Sequence, residues 1–358
     1  MMRTNLGFAF TSLMFACLVA LGFAACSDDK KRESKSKIEV VEADPPAESK
    51  VYTIKFSHVV GREAPKGKAA EFFAKRAEEL SNGRLKVEVF PAAKLVDDDK
   101  VFSEIKRNNI QMAAPGFAKF TPVVREFNVW DIPLLFRDLD HLHRVTDGEI
   151  GQELKDKVKE NGFVALDYWD AGFKHFSSSK APIVLPDDMR WHKVRIAESR
   201  VIEEQTRAFG GIPQVMNFGE VYSALQAGIV DSAENPLSNF YNSRLYEVQS
   251  SLTLTSHGYL GYLVIVGEKF WADLPEDLKA VFQQALSEAT AFEREETRRD
   301  EKVLLSSLEE YAKRTGKLEI ITLSPGQKKQ WEDMLVGIYP RFYGVVDQDL
   351  IERIQAVK

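Results

Sequence analysis

The chain has 358 residues, 44% apolar and 28% charged, with 48 Lys and Arg against 54 Asp and Glu for a net charge of −6. That length supplies one large or two ordinary cores, and the acidic balance disfavours nucleic acid as a partner without excluding a small anion held in a locally cationic cleft. Both cysteines, Cys17 and Cys26, fall in the first 26 residues, so the remainder can form neither a disulfide nor a thiolate metal site.

The chain opens with Arg3 and an uncharged apolar run over 6–25 that ends in small residues before Cys26. This is the pattern of an export signal, expected over residues 1–25. Ala24-Ala25-Cys26 resembles a lipobox, which predicts acylation of Cys26 and a lipid-anchored periplasmic location; ordinary cleavage and a retained membrane helix are the alternatives. Residues 26–50 are mostly charged, small polar or Pro, too poor in apolar surface to fold, and are expected to be a flexible linker.

From residue 51 the pattern alternates strand and helix. Residues 51–56 alternate as a strand, Pro65 opens a helix carrying Ala69, Phe73 and Ala77 at helical spacing, and Asn82-Gly83 stops it. A strand over 85–90, a helix over 97–108 and a strand over 110–114 follow. The alternation restarts with strands at 162–168 and 193–196, a helix over 199–209, a strand over 213–216 and a helix over 219–227. A short strand begins at 229, and 257–267 reads as a buried strand. Few breakers interrupt 275–314, which predicts one or two long helices. The sum is an α/β fold with a largely parallel sheet.

Enzyme signatures are missing: the chain has no Walker loop, no Gly-x-Gly-x-x-Gly, no His-Glu-x-x-His and no Gly-x-Ser-x-Gly. No catalytic residue, metal or cofactor is therefore expected. His141 and His143 alternate as some ligands do, but among Asp138, Asp140 and Arg144 they read as part of a solvated helix. The most informative feature is Arg195 inside the apolar strand Val194-Arg195-Ile196. A guanidinium there needs a partner, either a ligand carboxylate held by two parallel N–H bonds or an acidic residue such as Glu198 or Glu220.

Three ordered segments then carry a family resemblance: Val194-Arg195-Ile196, the stretch from Asn217-Phe218-Gly219-Glu220 through Ala227-Gly228-Ile229-Val230-Asp231, and Glu234-Asn235-Pro236. Together they resemble the solute-binding subunits of tripartite ATP-independent periplasmic (TRAP) transporters, over essentially all of 51–358. Phe56-Ser57-His58, Pro65-Lys66-Gly67, Ala118-Lys119-Phe120 and Tyr168-Trp169-Asp170 are similar to the C4-dicarboxylate branch. The resemblance implies a two-domain α/β binding protein with ligand in a cleft between the domains and a long spanning helix. One domain would comprise 51–173 and 257–290; the other would comprise 174–256 and 291–358 with the C-terminal helices.

The resemblance also implies roles. Arg195 would hold one carboxylate, Asn235 would support it, and Phe218, with Tyr222 and Trp169, would supply aromatic wall. Lys174 is a second cationic position, and Lys66 and Lys119 would carry charge for the far carboxylate. Read from the residues alone, Lys66 could be solvated in a first helical turn, Phe218 could be core and Asn235 could cap a turn. The implied ligand is a small organic acid such as succinate, fumarate or malate, passed to the small and large membrane subunits. A keto, sugar or aromatic acid, or a sensing role upstream of a receptor kinase, are the alternatives.

Overall fold

The computed structural model describes residues 50–358; the expected signal, Cys26 and most of the linker lie outside the described residues. Nine strands form one mixed sheet among the described residues: β1 (Tyr52–Ser57), β2 (Leu85–Phe90), β3 (Met112–Ala113), β4 (Phe163–Ser178), β5 (Lys193–Ile196), β6 (Ile212–Val215), β7 (Ser232–Asn235), β8 (Ser251–Gly267) and β9 (Glu319–Thr322). The order is β2-β1-β3-β8-β4-β7-β5-β6, with β9 paired to β8. The helices are α1 (Pro65–Leu80), α2 (Val101–Lys106), α3 (Leu139–Thr146), α4 (Glu149–Lys159), α5 (Arg200–Ala208), α6 (Val221–Gln226), α7 (Leu237–Asn242), α8 (Glu268–Asp273), α9 (Glu276–Thr315), α10 (Pro325–Gly337) and α11 (Gln348–Ala356).

Local chemistry explains the regular elements. Pro65 occupies the first turn of α1, where a missing N–H costs nothing, and Ala69, Phe73 and Ala77 bury one face. Asn82 and Gly83 take the left-handed conformation that ends it, with φ of 52° and 80°. The breaker-free stretch forms one 40-residue helix, α9, closed by Gly316 at φ 63°. At 1.5 Å per residue it is about 60 Å long, enough to span the whole sheet. It stacks Phe292 on Phe72 and sets Phe282 edge-on to Phe73 of α1 in its first half, and sets Tyr311 edge-on to Tyr246 near its end.

The expectation of a largely parallel sheet is corrected at the centre. β1 with β2 and β5 with β6 are parallel, but β4 and β8, the two longest strands, pair antiparallel. Each crosses between the two halves of the sheet. β8 pairs β3 through Ile265 and Val266 and β9 through Ser251 to Leu254, while β4 reaches β7 through His175 to Ser178. Their ladder slips in register between Ala165 and Asp167, Asp170 and Gly172, and Lys174 and Phe176. Such irregularities bend a strand pair and re-aim its side chains.

β4 runs ten residues beyond the stretch read as strand because the part after Tyr168 carries Asp170, Lys174 and His175, which break the apolar run yet are buried. α3 is likewise not a solvated helix. His141 is fully buried with Nε2 3.0 Å from Ile354 O of α11, and His143 Nε2 lies 2.7 Å from Asp170 Oδ2.

Candidate functional site

A cavity of about 60 Å³ lies where the two halves of the sheet meet. Val59, Val60, Asp98, Phe117 and Lys119 wall it on the β1–β3 side, and Arg195, Ala197, Phe218, Glu234, Asn235 and Asn239 on the β5–β7 side. Lys174 from β4 and Tyr259 and Tyr262 from β8 lie between. A larger groove of about 980 Å³ lies elsewhere, bounded by 134–139, α9 and α10. It is open and carries balanced charges (Arg137, Arg298, Lys302 and Lys329 against Asp138, Glu301, Glu332 and Asp333), so nothing in it selects an anion. The small enclosed cavity, with few convergent polar groups among apolar walls, is the better ligand site.

Arg195 is delivered by β5 with its guanidinium buried. Nε and Nη2 both donate to Met216 O, at 3.1 and 2.7 Å, and its Cζ lies 5.8 Å from the centroid of the Phe218 ring. Nη1 makes no hydrogen bond and the group forms no salt bridge among the described residues. Glu198, one of its two candidate partners, instead faces Lys119 at 3.7 Å. Burial pulls the Arg195 pKa down to about 10, against the partial support of Glu234, Asp97 and Asp98. Beside it the Asn235 Nδ2 is buried with no hydrogen-bond partner among the described residues. These uncommitted N–H groups on one wall offer what two carboxylate oxygens require.

Lys174 is committed. Its Nζ donates to Glu234 Oε1 at 2.7 Å and lies 3.8 Å from Asp131 Oδ1. The second Glu234 oxygen meets His257 Nε2 at 2.8 Å. Burial alone would raise the Glu234 pKa, but Lys174 and His257 outweigh it and hold the carboxyl at about 2. Burial has the upper hand at Asp131, which is pushed up to about 6 despite Lys174. Gly258, the cross-strand partner of Lys174, makes this placement possible: a Cβ there would sit 2.9 Å from Lys174 Cε.

Lys66 is wholly buried in the first turn of α1 rather than solvated. Its Nζ donates to Ala114 O at 2.9 Å and sits 3.4 Å from the Tyr262 ring centroid, behind that wall. Burial lowers its pKa to about 8, opposed by Asp98 and Glu293. Lys119, on the 3₁₀ turn Phe117–Phe120, lines the cavity and donates to Asn217 Oδ1 at 3.0 Å.

The structure therefore brings Arg195, Asn235, Phe218, Lys174 and Lys119 to one cavity, with Lys66 just behind it. Two expected wall residues lie elsewhere. The Tyr222 hydroxyl donates to Glu247 Oε2 at 3.2 Å, outside the cavity lining. Trp169 is core: its indole donates to Thr290 Oγ1 of α9 at 2.8 Å and its ring packs on Phe56.

Tyr259, Tyr262, Asn239 and the acidic Asp98, Asp131 and Glu234 escaped the sequence reading. The tyrosines had a signal in Gly258-Tyr259-Leu260-Gly261-Tyr262, since glycines within an apolar strand mark close approach. A Cβ on Gly261 would lie 2.5 Å from Phe117 Cε2.

Two sheet halves joined by crossing strands, with a cavity of apolar walls and few convergent polar groups between them, define a ligand-binding protein of the cleft type. The chain matches the bacterial extracellular solute-binding protein family 7 over residues 56–344, and it belongs to that family. It is 38% identical over 312 residues to the C4-dicarboxylate-binding periplasmic protein DctP of Rhodobacter capsulatus, spanning 87% of this chain and 92% of that protein. A TRAP periplasmic solute-binding protein from Sulfurospirillum deleyianum, solved with bound succinate, is 54% identical with a TM-score of 0.85, covering 86% of this chain and 100% of that one. The sugar acid binding protein DctPAm of Advenella mimigardefordensis, in complex with galactonate, is 28% identical with a TM-score of 0.82, covering 86% and 98%.

Proposed function

We propose that the protein captures a short dicarboxylate such as succinate, fumarate or malate in the periplasm and delivers it to the membrane subunits of a TRAP transporter, without transforming it. The observation that carries this reading is the buried Arg195 guanidinium facing the cavity with no carboxylate partner among the described residues. A ligand carboxylate supplies the missing anion, Asn235 Nδ2 supports it, and Lys119 and Lys66 carry positive charge toward the other end. The 54% identity to the protein solved with succinate, against 28% to the one solved with galactonate, favours a short acid over a sugar acid.

The expected bodies, 51–173 with 257–290 and 174–256 with 291–358, would move about the slipped β4–β8 ladder, closing the cavity and excluding water. The acylated Cys26 and linker would tether this unit near the membrane. Calorimetric titration of the protein with succinate, fumarate, malate, their dimethyl esters and galactonate tests the reading. Binding of the free C4 acids and not the esters supports it. Preference for galactonate moves the protein to the sugar-acid group, and binding of none of them overturns the assignment.

A further inference from the structure

A small set of contacts that do not involve Arg195 joins the two sides of the sheet at Lys119, which lines the cavity. Lys119 follows β3 on one side of the sheet; Asn217 follows β6, at the sheet's far end, and Glu198 follows β5. The Lys119 ammonium nevertheless donates to Asn217 Oδ1 at 3.0 Å and lies 3.7 Å from Glu198 Oε2. One turn on, the Thr121 hydroxyl lies 3.4 Å from Glu198 O. Beside them Asp97 Oδ2 comes so close to Gly219 that a Cβ there would be 3.4 Å away. Every pair joins the β1–β3 side to the β5–β6 side, over sequence separations of 98 residues for Lys119 with Asn217 and 77 for Thr121 with Glu198.

We infer that Asn217 and Glu198 form a latch that grips Lys119 across the mouth of the cavity and sets how long a captured ligand stays. The inference rests on the proposed capture role and adds residues to it. An ammonium has three N–H bonds in a tetrahedral fan. Lys119 can therefore hold Asn217, face Glu198 and still direct a donor toward the cavity that it lines. One charge thus answers both to the ligand and to the opposite side of the cleft, so that occupancy and closure reinforce each other. Neither Asn217 nor Glu198 lines the cavity. They are positioning residues, acting on the ligand only through Lys119 and through closure. The Glu198 side chain is half exposed, so its share is screened by salt and the latch is weak enough to release.

The test is stopped-flow dissociation of succinate from the full chain and from an N217A/E198Q variant, with melting temperatures recorded with and without succinate. A latch made only on closure predicts dissociation faster by about 5- to 30-fold, the combined effect of one lost hydrogen bond and one lost surface ion pair. The association rate should stay within about twofold, because the open form is unaltered. The unliganded melting temperature should be unchanged while its succinate-induced rise shrinks. Succinate binding by the parent chain with unaltered dissociation from the variant overturns the latch and leaves the capture role intact. A fall in the unliganded melting temperature, with no change in the ligand-induced rise, assigns these residues to fold stability and also overturns it. No binding by the parent chain to any C4 acid overturns the capture role, and the latch with it.

Discussion

Arg195 and Lys174 are two buried cations on the same cavity, and their surroundings are opposite. Lys174 meets a carboxylate at 2.7 Å and faces a second at 3.8 Å, so its charge is spent inside the protein. Arg195 is given one backbone carbonyl and the Phe218 ring, and no carboxylate in contact among the described residues. Burying a charge without its partner is costly, and folding tolerates it where a ligand is to complete the pair. On the proposed reading, Lys174 and Glu234 belong to the architecture of the site, and Arg195 to its ligand.

The largest expected effect breaks that contrast from the Lys174 side. Lys174→Met leaves Glu234 charged and buried with His257 alone, and should cost about 3–5 kcal/mol of unliganded stability in urea denaturation. Adding Glu234→Gln should recover much of it, since two neutral groups replace one orphaned charge. If stability instead holds while succinate affinity collapses, Lys174 is a ligand cation and the contrast is wrong. The Arg195 side is the mirror image. Arg195→Ala should weaken succinate by about 2–5 kcal/mol, or roughly 30- to 5,000-fold, with unliganded stability preserved or raised. Arg195→Lys should rescue little, because a point charge lacks the planar fork. Unchanged affinity in calorimetry would remove Arg195 from the site.

The same pair has a pH signature. Glu234 is held at about 2 against an ordinary 4.5, so the unfolded chain binds its proton first. The stabilisation is fully present above about pH 4.5 and is lost as pH falls toward 2. In the K174M/E234Q variant this acid limb should flatten, by comparison of urea midpoints from pH 5 to 2.5. An unchanged limb would assign acid sensitivity to other carboxylates.

How much of this was legible in the sequence follows a physical line. β5 was read at its observed bounds, and α1 and α9 were visible because local periodicity, Pro65, Asn82-Gly83 and Gly316 encode them without reference to the rest of the chain. β4 was cut short because Asp170, Lys174 and His175 look like surface residues until their partners are known. Those partners lie far along the chain, as with Glu234, 60 residues from Lys174. Arg195, too, was legible only as a charge needing an anion, and spacing could not say whether Glu198 supplied it. Of the residues that the family resemblance singles out, Asn235, Phe218 and Lys119 line the cavity, while Tyr222 and Trp169 point to Glu247 and Thr290 instead.

The partnered-versus-open contrast recurs among the histidines, at smaller scale. His257 has Glu234 on one nitrogen and Thr255 on the other, at 2.8 and 2.7 Å. His58, equally buried against the edge of Phe56, has no partner for either nitrogen among the described residues. Burial, with Lys66 and Arg62 nearby, lowers its pKa to about 3 from 6.5 against the opposing pull of the Val60 backbone, which lies outside hydrogen-bonding geometry. Between those values the unfolded chain binds the proton and the folded chain does not, so this histidine erodes stability as pH falls from about 6.5 toward 3. His175 does the same, so a single substitution removes part of the slope and not all of it. His58→Leu replaces two unsatisfied polar atoms with apolar ones of similar reach and should add about 1 kcal/mol at neutral pH. Its advantage over the parent should grow as the buffer is taken from pH 7 to 5, read as a widening gap in melting temperature. Parallel curves would mean that His58 is satisfied by water or charged in the folded protein. In that event an open buried polar group would no longer by itself mark a place reserved for a ligand, and the case for Arg195 would rest on its affinity measurements alone.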